Sequence, residues 1–326
     1  MNDAYPHWKS GLALAVLAAF TWGTLPMALK IALVEVEPIT LAFLRFLLAF
    51  LLSWTWLTAR GQGYRVYREA MDLSNKHRAY LLLAGVCLTG NYVTFVWGVH
   101  YATPANSQLF IQLSPLLFGM AGVFMFKEQM SGGRWLGVLL LISGLGLFYK
   151  DQVELLDSTL ANYKEGCLWL LVAAVCWAGY ATFQKLLNAH LRPAHIMTWV
   201  YLLATLLLAP ISQPQVLPGL SLLPLAAVIY GGLNTLIAYG AFSEAIYRWE
   251  ASRVSAVLPL TPVFTMLLMP LGAWYFPQYL RPEKIAGAGW LGVALVLSGS
   301  TLSALSRTRS APSSKRVLKT SSNSKD

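Results

Sequence analysis

The sequence predicts an all-α membrane protein of ten transmembrane helices, arranged as two inverted five-helix repeats. Three observations lead there. Of the 326 residues, 56% are hydrophobic and only 12% charged, with a mean hydropathy of +0.55, whereas soluble domains carry about 25% charged residues. So little polar surface cannot face water all round, and the apolar runs approach the ~20 residues a helix needs to cross a bilayer. Residues 135–144 (WLGVLLLISG) recur as 290–299 (WLGVALVLSG), identical at seven of ten positions at an offset of 155; near-identity at a fixed offset marks an internal duplication. The Lys and Arg residues, finally, crowd loops on one side of the predicted membrane and the C-terminal tail.

Taken in order, the apolar runs place spans at 10–30, 38–58, 79–100, 104–126, 133–150, 165–187, 194–212, 222–246, 252–275 and 284–305. The first, containing Trp22 and Pro26, has no small-residue cleavage site and is expected to be a retained helix. Residues 59–78 form a basic loop. The organisation expected is a first repeat over 1–150, a polar, net-acidic linker over 151–164, a second repeat over 165–305 and a disordered basic tail over 306–326.

With the N-terminus inside, eighteen Lys/Arg fall on the inner side and five (Lys30, Lys150, Lys164, Arg281, Lys284) on the outer, leaving Arg45 within a span. The positive-inside rule then puts both termini in the cytoplasm. It also accounts for the net charge of +10 without nucleic acid. At an offset of 155, Gly11, Trp22, Lys30 and Pro38 meet Gly166, Trp177, Lys185 and Pro193; at 147, Gly85, Tyr92, Phe95 and Pro115 meet Gly232, Tyr239, Phe242 and Pro262. The change of offset implies an eight-residue insertion near 274–282. Five spans per unit is odd, so the second unit enters the membrane the opposite way, an architecture that serves alternating access in secondary transporters.

Thr21-Trp22-Gly23 followed by Lys30, the run Leu44-Arg45-Phe46-Leu47-Leu48, Leu113-Ser114-Pro115 followed by Lys127-Glu128, and the repeated Trp-Leu-Gly-Val…Ser-Gly ends resemble the drug/metabolite transporter superfamily, specifically the EamA-type ten-helix permeases. The resemblance covers about residues 10–305. It implies an inner-membrane carrier, usually an exporter of amino acids, metabolites or toxic compounds. It also implies a central cavity lined by spans 1, 3, 4, 6, 8 and 9. Tyr275 stands where Glu128 would map in the second repeat, with Glu283 beyond the insertion.

Polar groups inside a bilayer are costly and face a cavity or a partner helix. The candidate substrate-binding residues are Trp22, Asn91, Tyr92, Phe95, Gln108, Gln112, Trp177, Tyr180, Gln184, Asn234, Tyr239 and Ser255. Gln108 and Gln112 lie four apart on one helical face, and aromatic walls with a few fixed amides suit an amphipathic organic solute. The same amides also serve to bridge helices. Pro115 and Pro262, near mid-membrane, are candidate flexing points that would kink their helices. Lys30 and Lys185 are candidate gate-flanking residues, or interfacial anchors that snorkel. Arg45, with Val200 at its matching position, is read as structural or as attracting anionic solute groups.

Other classes find little support. The five histidines lack metal spacing, the three cysteines (Cys87, Cys167, Cys176) sit in apolar runs, and there is no Walker loop. No cofactor, metal or catalytic residue is expected, and a membrane-embedded lipid-modifying enzyme is disfavoured. No Asp or Glu lies near the centre of a span, which leaves facilitated exchange or import of an anionic metabolite open beside export. The expected partners are a small-molecule substrate and the lipid bilayer, with no nucleic acid, and the chain is expected to be a monomer or weak dimer.

Overall fold

The structure, a computed structural model, describes residues 8–126, 131–156, 162–249, 254, 257–281 and 283–306. Ser255, Glu128 and the tail beyond Ser306 lie outside the described residues. Among the described residues, seven helices are long and apolar enough to cross a membrane: α1 (Trp8–Ala32), α2 (Pro38–Ala59), α4 (Asn75–Tyr101), α7 (Gly132–Leu156), α8 (Tyr163–Leu187), α9 (Pro193–Leu208, extended by a 3-10 turn at Ala209–Ile211) and α10 (Leu222–Arg248). The remaining three of the ten spans are built from shorter pieces: α5 (Pro104–Phe110) with α6 (Leu113–Phe126), α11 (Leu260–Tyr275) and α12 (Gly287–Leu305). Inside the basic loop 59–78 lies a further helix, α3 (Gly63–Met71). Its Val66 is fully buried, and its Glu69 Oε2 lies 2.7 Å from Nδ1 of His195 on α9.

Local rules explain the helix starts. Pro38 and Pro193, one repeat apart, each occupy the first turn of their helix, α2 and α9, where a missing N–H removes nothing. Ser74 caps α4. Thr103 caps α5, its Oγ1 accepting from Asn106 N at 3.3 Å and Asn106 Nδ2 at 2.6 Å.

The two halves have opposite polarity, and the pairing of equivalent helices shows it directly. The carbonyl of Gly299 lies where a Cβ on Gly137 would approach to 2.6 Å, and that of Gly292 where a Cβ on Gly144 would approach to 2.7 Å. The rising number on α7 meets the falling number on α12, so the fifth helices of the repeats cross antiparallel about a pseudo-two-fold axis. The duplicated Trp-Leu-Gly-Val…Ser-Gly stretch therefore supplies the glycines that let two backbones touch. α2 and α9 do the same: Thr40 near the start of α2 accepts from Gln213 N beyond α9 at 2.9 Å, while Ser53 Oγ bonds Thr198 Oγ1 near the start of α9 at 2.6 Å. Two further antiparallel pairs, α4 with α8 and α1 with α10, cross between the halves, Asn91 Nδ2 donating to Ala173 O at 2.8 Å and Asn234 Nδ2 to Thr21 O at 2.5 Å.

The expected linker begins later than its composition suggests. α7 continues through Leu156, with Gln152 fully buried and Asp151 nearly so. These polar residues hold down the chain just past the inserted segment of the second repeat, Gln152 Nε2 donating to Lys284 O at 3.1 Å and Asp151 Oδ2 accepting from Ala286 N at 3.3 Å. The insertion, unmatched in the first repeat, thus folds over the end of the bundle that carries Lys30.

Candidate functional site

Between the halves lies a cavity with about 730 Å³ of space not filled by protein atoms, its open mouth included. Its wall takes Trp22 and Leu25 from α1, Asn91, Tyr92 and Phe95 from α4, Gln108 from α5, Trp177 from α8 and Tyr239 from α10. The two broken spans contribute Ile111, Gln112, Ser114 and Pro115 on one side and Leu258 and Thr261 on the other. These are spans 1, 3, 4, 6, 8 and 9; to them α2 adds Arg45.

Both broken spans break at the cavity. Ile111 and Gln112 form a turn between α5 and α6, with Gln112 N donating to Leu109 O at 3.1 Å and Ser114 N to Ile111 O at 2.9 Å. One repeat later, at the offset of 147, Leu258 and Pro259 form the matching turn before α11, with Thr261 N donating to Leu258 O at 2.9 Å. The expectation that Pro115 and Pro262 kink continuous helices is corrected here. Each lies in the first turn of the second half-helix, where a proline lacks nothing the helix would use, and the chain has already broken just before it. Irregular backbone at membrane depth is tolerated where it lines a cavity.

Aromatic contacts shape the wall. Trp22 meets Tyr239 edge-on at 5.3 Å between centroids, and Tyr180 meets Tyr239 at 6.1 Å. Gln108 Nε2 donates to Trp22 O at 2.8 Å, and Gln112 Oε1 accepts from Ser300 Oγ at 3.2 Å. Ser114 Oγ is buried without a hydrogen-bond partner.

Three expected binding residues lie elsewhere. Tyr180 is buried behind the wall with its hydroxyl on Met197 Sδ at 2.9 Å, and Gln184 Nε2 lies 3.8 Å from the same sulfur. Asn234 is spent on Thr21 O, a helix bridge, although its Oδ1 is buried without a partner. Ser255 lies outside the described residues. Asn106, two residues before Gln108, donates from Nδ2 to Gln152 Oε1 at 3.2 Å and accepts from Tyr163 OH at 2.5 Å. Pro262 is buried in α11.

The expected gate residues lie apart from the wall. Lys185 Nζ lies 5.9 Å from the Phe118 ring. Lys30 Nζ donates to His100 O at 2.8 Å, and Lys30 lines a second, open cavity with Thr103, Gln278, Tyr279, Arg281 and Glu283. Glu283 Oε1 accepts from Ala105 N at 2.9 Å, capping α5, and Oε2 is buried with no hydrogen-bond partner. Burial pushes its carboxyl up to about 7, against the opposing pull of the Ala105 N–H, Thr103 and Lys30. In the sequence Glu283 stands out only by its place past the insertion.

Two antiparallel, symmetry-related helical halves around one amphipathic cavity, with broken helices at its wall, define the molecule as a membrane transporter. The profile of the EamA-like transporter family matches residues 9–150 and 164–305. The chain belongs to that family. An uncharacterized inner membrane transporter of Escherichia coli, YhbE, is 35% identical over 297 residues, covering 90% of this chain and 91% of the relative. An uncharacterized transporter of Haemophilus influenzae is 31% identical over 296 residues, covering 90% and 94%. A probable amino-acid metabolite efflux pump of Escherichia coli is 25% identical over 307 residues, covering 89% and 93%. A solved crystal structure superposes with a TM-score of 0.63 at 19% identity, covering 90% of this chain and 97% of that one; it supports the fold alone. The protein is a multi-pass inner-membrane transporter.

Proposed function

We propose that the protein is a secondary transporter that exports small amphipathic organic metabolites by alternating access, with both termini in the cytoplasm. The observation that carries this is the shared wall: each half supplies one broken helix, one tryptophan and one tyrosine to a single cavity. Rocking of one half against the other re-exposes such a site to the opposite side without rebuilding it. Export is favoured over import by the relative described as a probable amino-acid metabolite efflux pump, and the inside-positive charge split supports the orientation. The proposed binding set is Trp22, Asn91, Tyr92, Phe95, Gln108, Gln112, Trp177 and Tyr239, with Lys30 at one access route and Lys185 at the other. The protein is proposed to work as a monomer or weak dimer in the lipid bilayer, without nucleic acid.

The test is transport by purified protein in liposomes against a panel of amino acids and other metabolites, paired with tolerance of overexpressing cells to the same compounds. Transport is expected for some of the panel, with Gln108→Ala/Gln112→Ala losing it while still reaching the membrane. Absence of flux across the whole panel contradicts the reading; retained flux in the double variant removes those two amides from the site.

A further inference from the structure

Arg45 is a buried arginine, and no described residue beside it carries the opposite charge. It is 2% exposed and lies on α2, the helix that the expected cavity did not include. Nε donates to Gly231 O at 3.2 Å and Nη2 to Thr235 Oγ1 at 3.3 Å, both on α10. The guanidinium lies 4.4 Å over the Tyr92 ring, whose hydroxyl also meets Thr235 Oγ1 at 3.3 Å. Gly231 makes the approach possible, since a Cβ there would stand 3.3 Å from the arginine stem. Nη1 makes no hydrogen bond to a described residue, and Arg45 lines the cavity. No carboxylate of a described residue pairs with it; its partners are the Gly231 carbonyl, the Thr235 hydroxyl and the Tyr92 ring.

Carbonyl, hydroxyl and ring contacts orient a guanidinium, but they leave a net charge uncompensated inside the bilayer, which is expensive. The rest of the wall leans the same way. The N-terminus of α6, a half-helix of 14 residues, opens at the cavity through Gln112 and Ser114, and a helix N-terminus favours negative charge. Ser114, 2% exposed and on that first turn, has a buried hydroxyl with no partner. The described lining residues include no Asp or Glu.

We propose that the cavity binds an organic carboxylate: the carboxylate docks on Arg45 with Ser114 and the α6 N-terminus, and an apolar or aromatic body lies among Trp22, Phe95 and Trp177. This narrows the substrate class of the transport reading and rests on it. A free ammonium group meets only neutral acceptors and ring faces in this wall. Carboxylates without a charged amine, such as aromatic or hydroxy acids and N-acylated amino acids, are therefore preferred over free amino acids.

Three probes with one body and three heads test this: phenylacetate, the neutral phenylacetamide and the cationic 2-phenylethylamine. Their binding to the full-length protein in nanodiscs is read by quenching of tryptophan fluorescence and by calorimetry, and their flux is measured in liposomes. Phenylacetate should bind at least about tenfold more tightly than either analogue, a modest return for one charge-assisted contact. Arg45→Gln should bring the three within about twofold of each other, and Arg45→Lys should retain part of the preference. Ser114→Ala, which leaves Arg45 and its packing untouched, should weaken phenylacetate alone by about threefold to tenfold, so the proposal stands or falls even if Arg45→Gln fails to fold. Equal binding of the amide or amine, or a preference that survives in both the Arg45→Gln and Ser114→Ala variants, overturns the anion site while leaving transport intact. Failure of all three probes to bind also overturns it, whereas absence of flux for the wider metabolite panel defeats the transport reading itself.

Discussion

Two glycines two residues apart on α7 should respond in opposite ways to the same substitution. At Gly144 an added Cβ would stand 2.7 Å from both Gly292 O and Val296 N, and 2.8 Å from Leu295 Cβ. Ordinary contact begins near 3.4 Å, so α12 would have to retreat by about 0.7 Å, and the atoms in the way are backbone that cannot rotate aside. At exposed Gly146 nothing lies within 4 Å. Both substitutions to alanine gain helix propensity, about 1 kcal/mol in a soluble helix and less in lipid. Gly144→Ala alone adds overpacking, about 1–3 kcal/mol. Gly146→Ala should therefore be neutral or slightly stabilised, and Gly144→Ala should fall below it by about 1–3 kcal/mol. At roughly 2–4 °C per kcal/mol for a protein of this size class, the two variants should differ by several degrees in a fluorescence-detected size-exclusion melt. Gly144→Ala/Gly292→Ala should be strongly non-additive, because both methyls press on one crossing. Equal melting of Gly144→Ala and Gly146→Ala would refute the antiparallel glycine crossing as the contact between the fifth helices.

Three more outcomes follow from the structure. Glu283 has its carboxyl raised to about 7 from 4.5, so the folded state favours its protonated form; that contribution is complete below about 4.5 and is lost as pH rises through about 7. A span of that size is on the order of 3 kcal/mol, so Glu283→Gln should gain on the wild type in melting temperature between about pH 4.5 and 7 and run parallel to it above; parallel curves throughout would contradict burial of the carboxyl. Thr265→Val removes the bond from Thr265 Oγ1 to Gly23 O at 2.6 Å, and should cost only about 0.6 kcal/mol, the average for such bonds in membranes; a loss of several kcal/mol by chemical denaturation would contradict this. Gly231→Ala crowds the Arg45 stem at 3.3 Å and should erode the anion preference by several-fold in the probe-binding assay with little change in melting temperature.

Repetition and charge were the legible part. Trp22 and Trp177, Tyr92 and Tyr239 are visible as repeat mates in the sequence, and the structure brings all four to one cavity. The broken helices were not legible, because Pro115 and Pro262 draw attention to themselves while the turns at Ile111–Gln112 and Leu258–Pro259 carry no breaker that recurs in both copies. Asn234 and Tyr180 have the composition of wall residues, but a polar group in lipid is equally satisfied by a neighbouring helix, and Thr21 O and Met197 Sδ take them. Arg45 has no mate in the second repeat, so symmetry could not assign it; its position against Gly231 and Tyr92 depends on contacts more than a hundred residues away in the chain or across helices. Residues 151–156 read as linker because they are polar, and their bonds to the chain just past the insertion, at Lys284 and Ala286, explain why polar residues are buried there.

The most direct measurement is the accessibility of the cavity from each side of the membrane. Ser114→Cys, in a background with Cys87, Cys167 and Cys176 replaced, can be exposed to a membrane-impermeant thiol reagent from one side or the other of oriented vesicles. Alternating access predicts labelling from both sides, slowed in each case by a transported solute. Labelling confined to one side under every condition, or indifferent to any solute the protein carries, would contradict a single central site shared by two rocking halves.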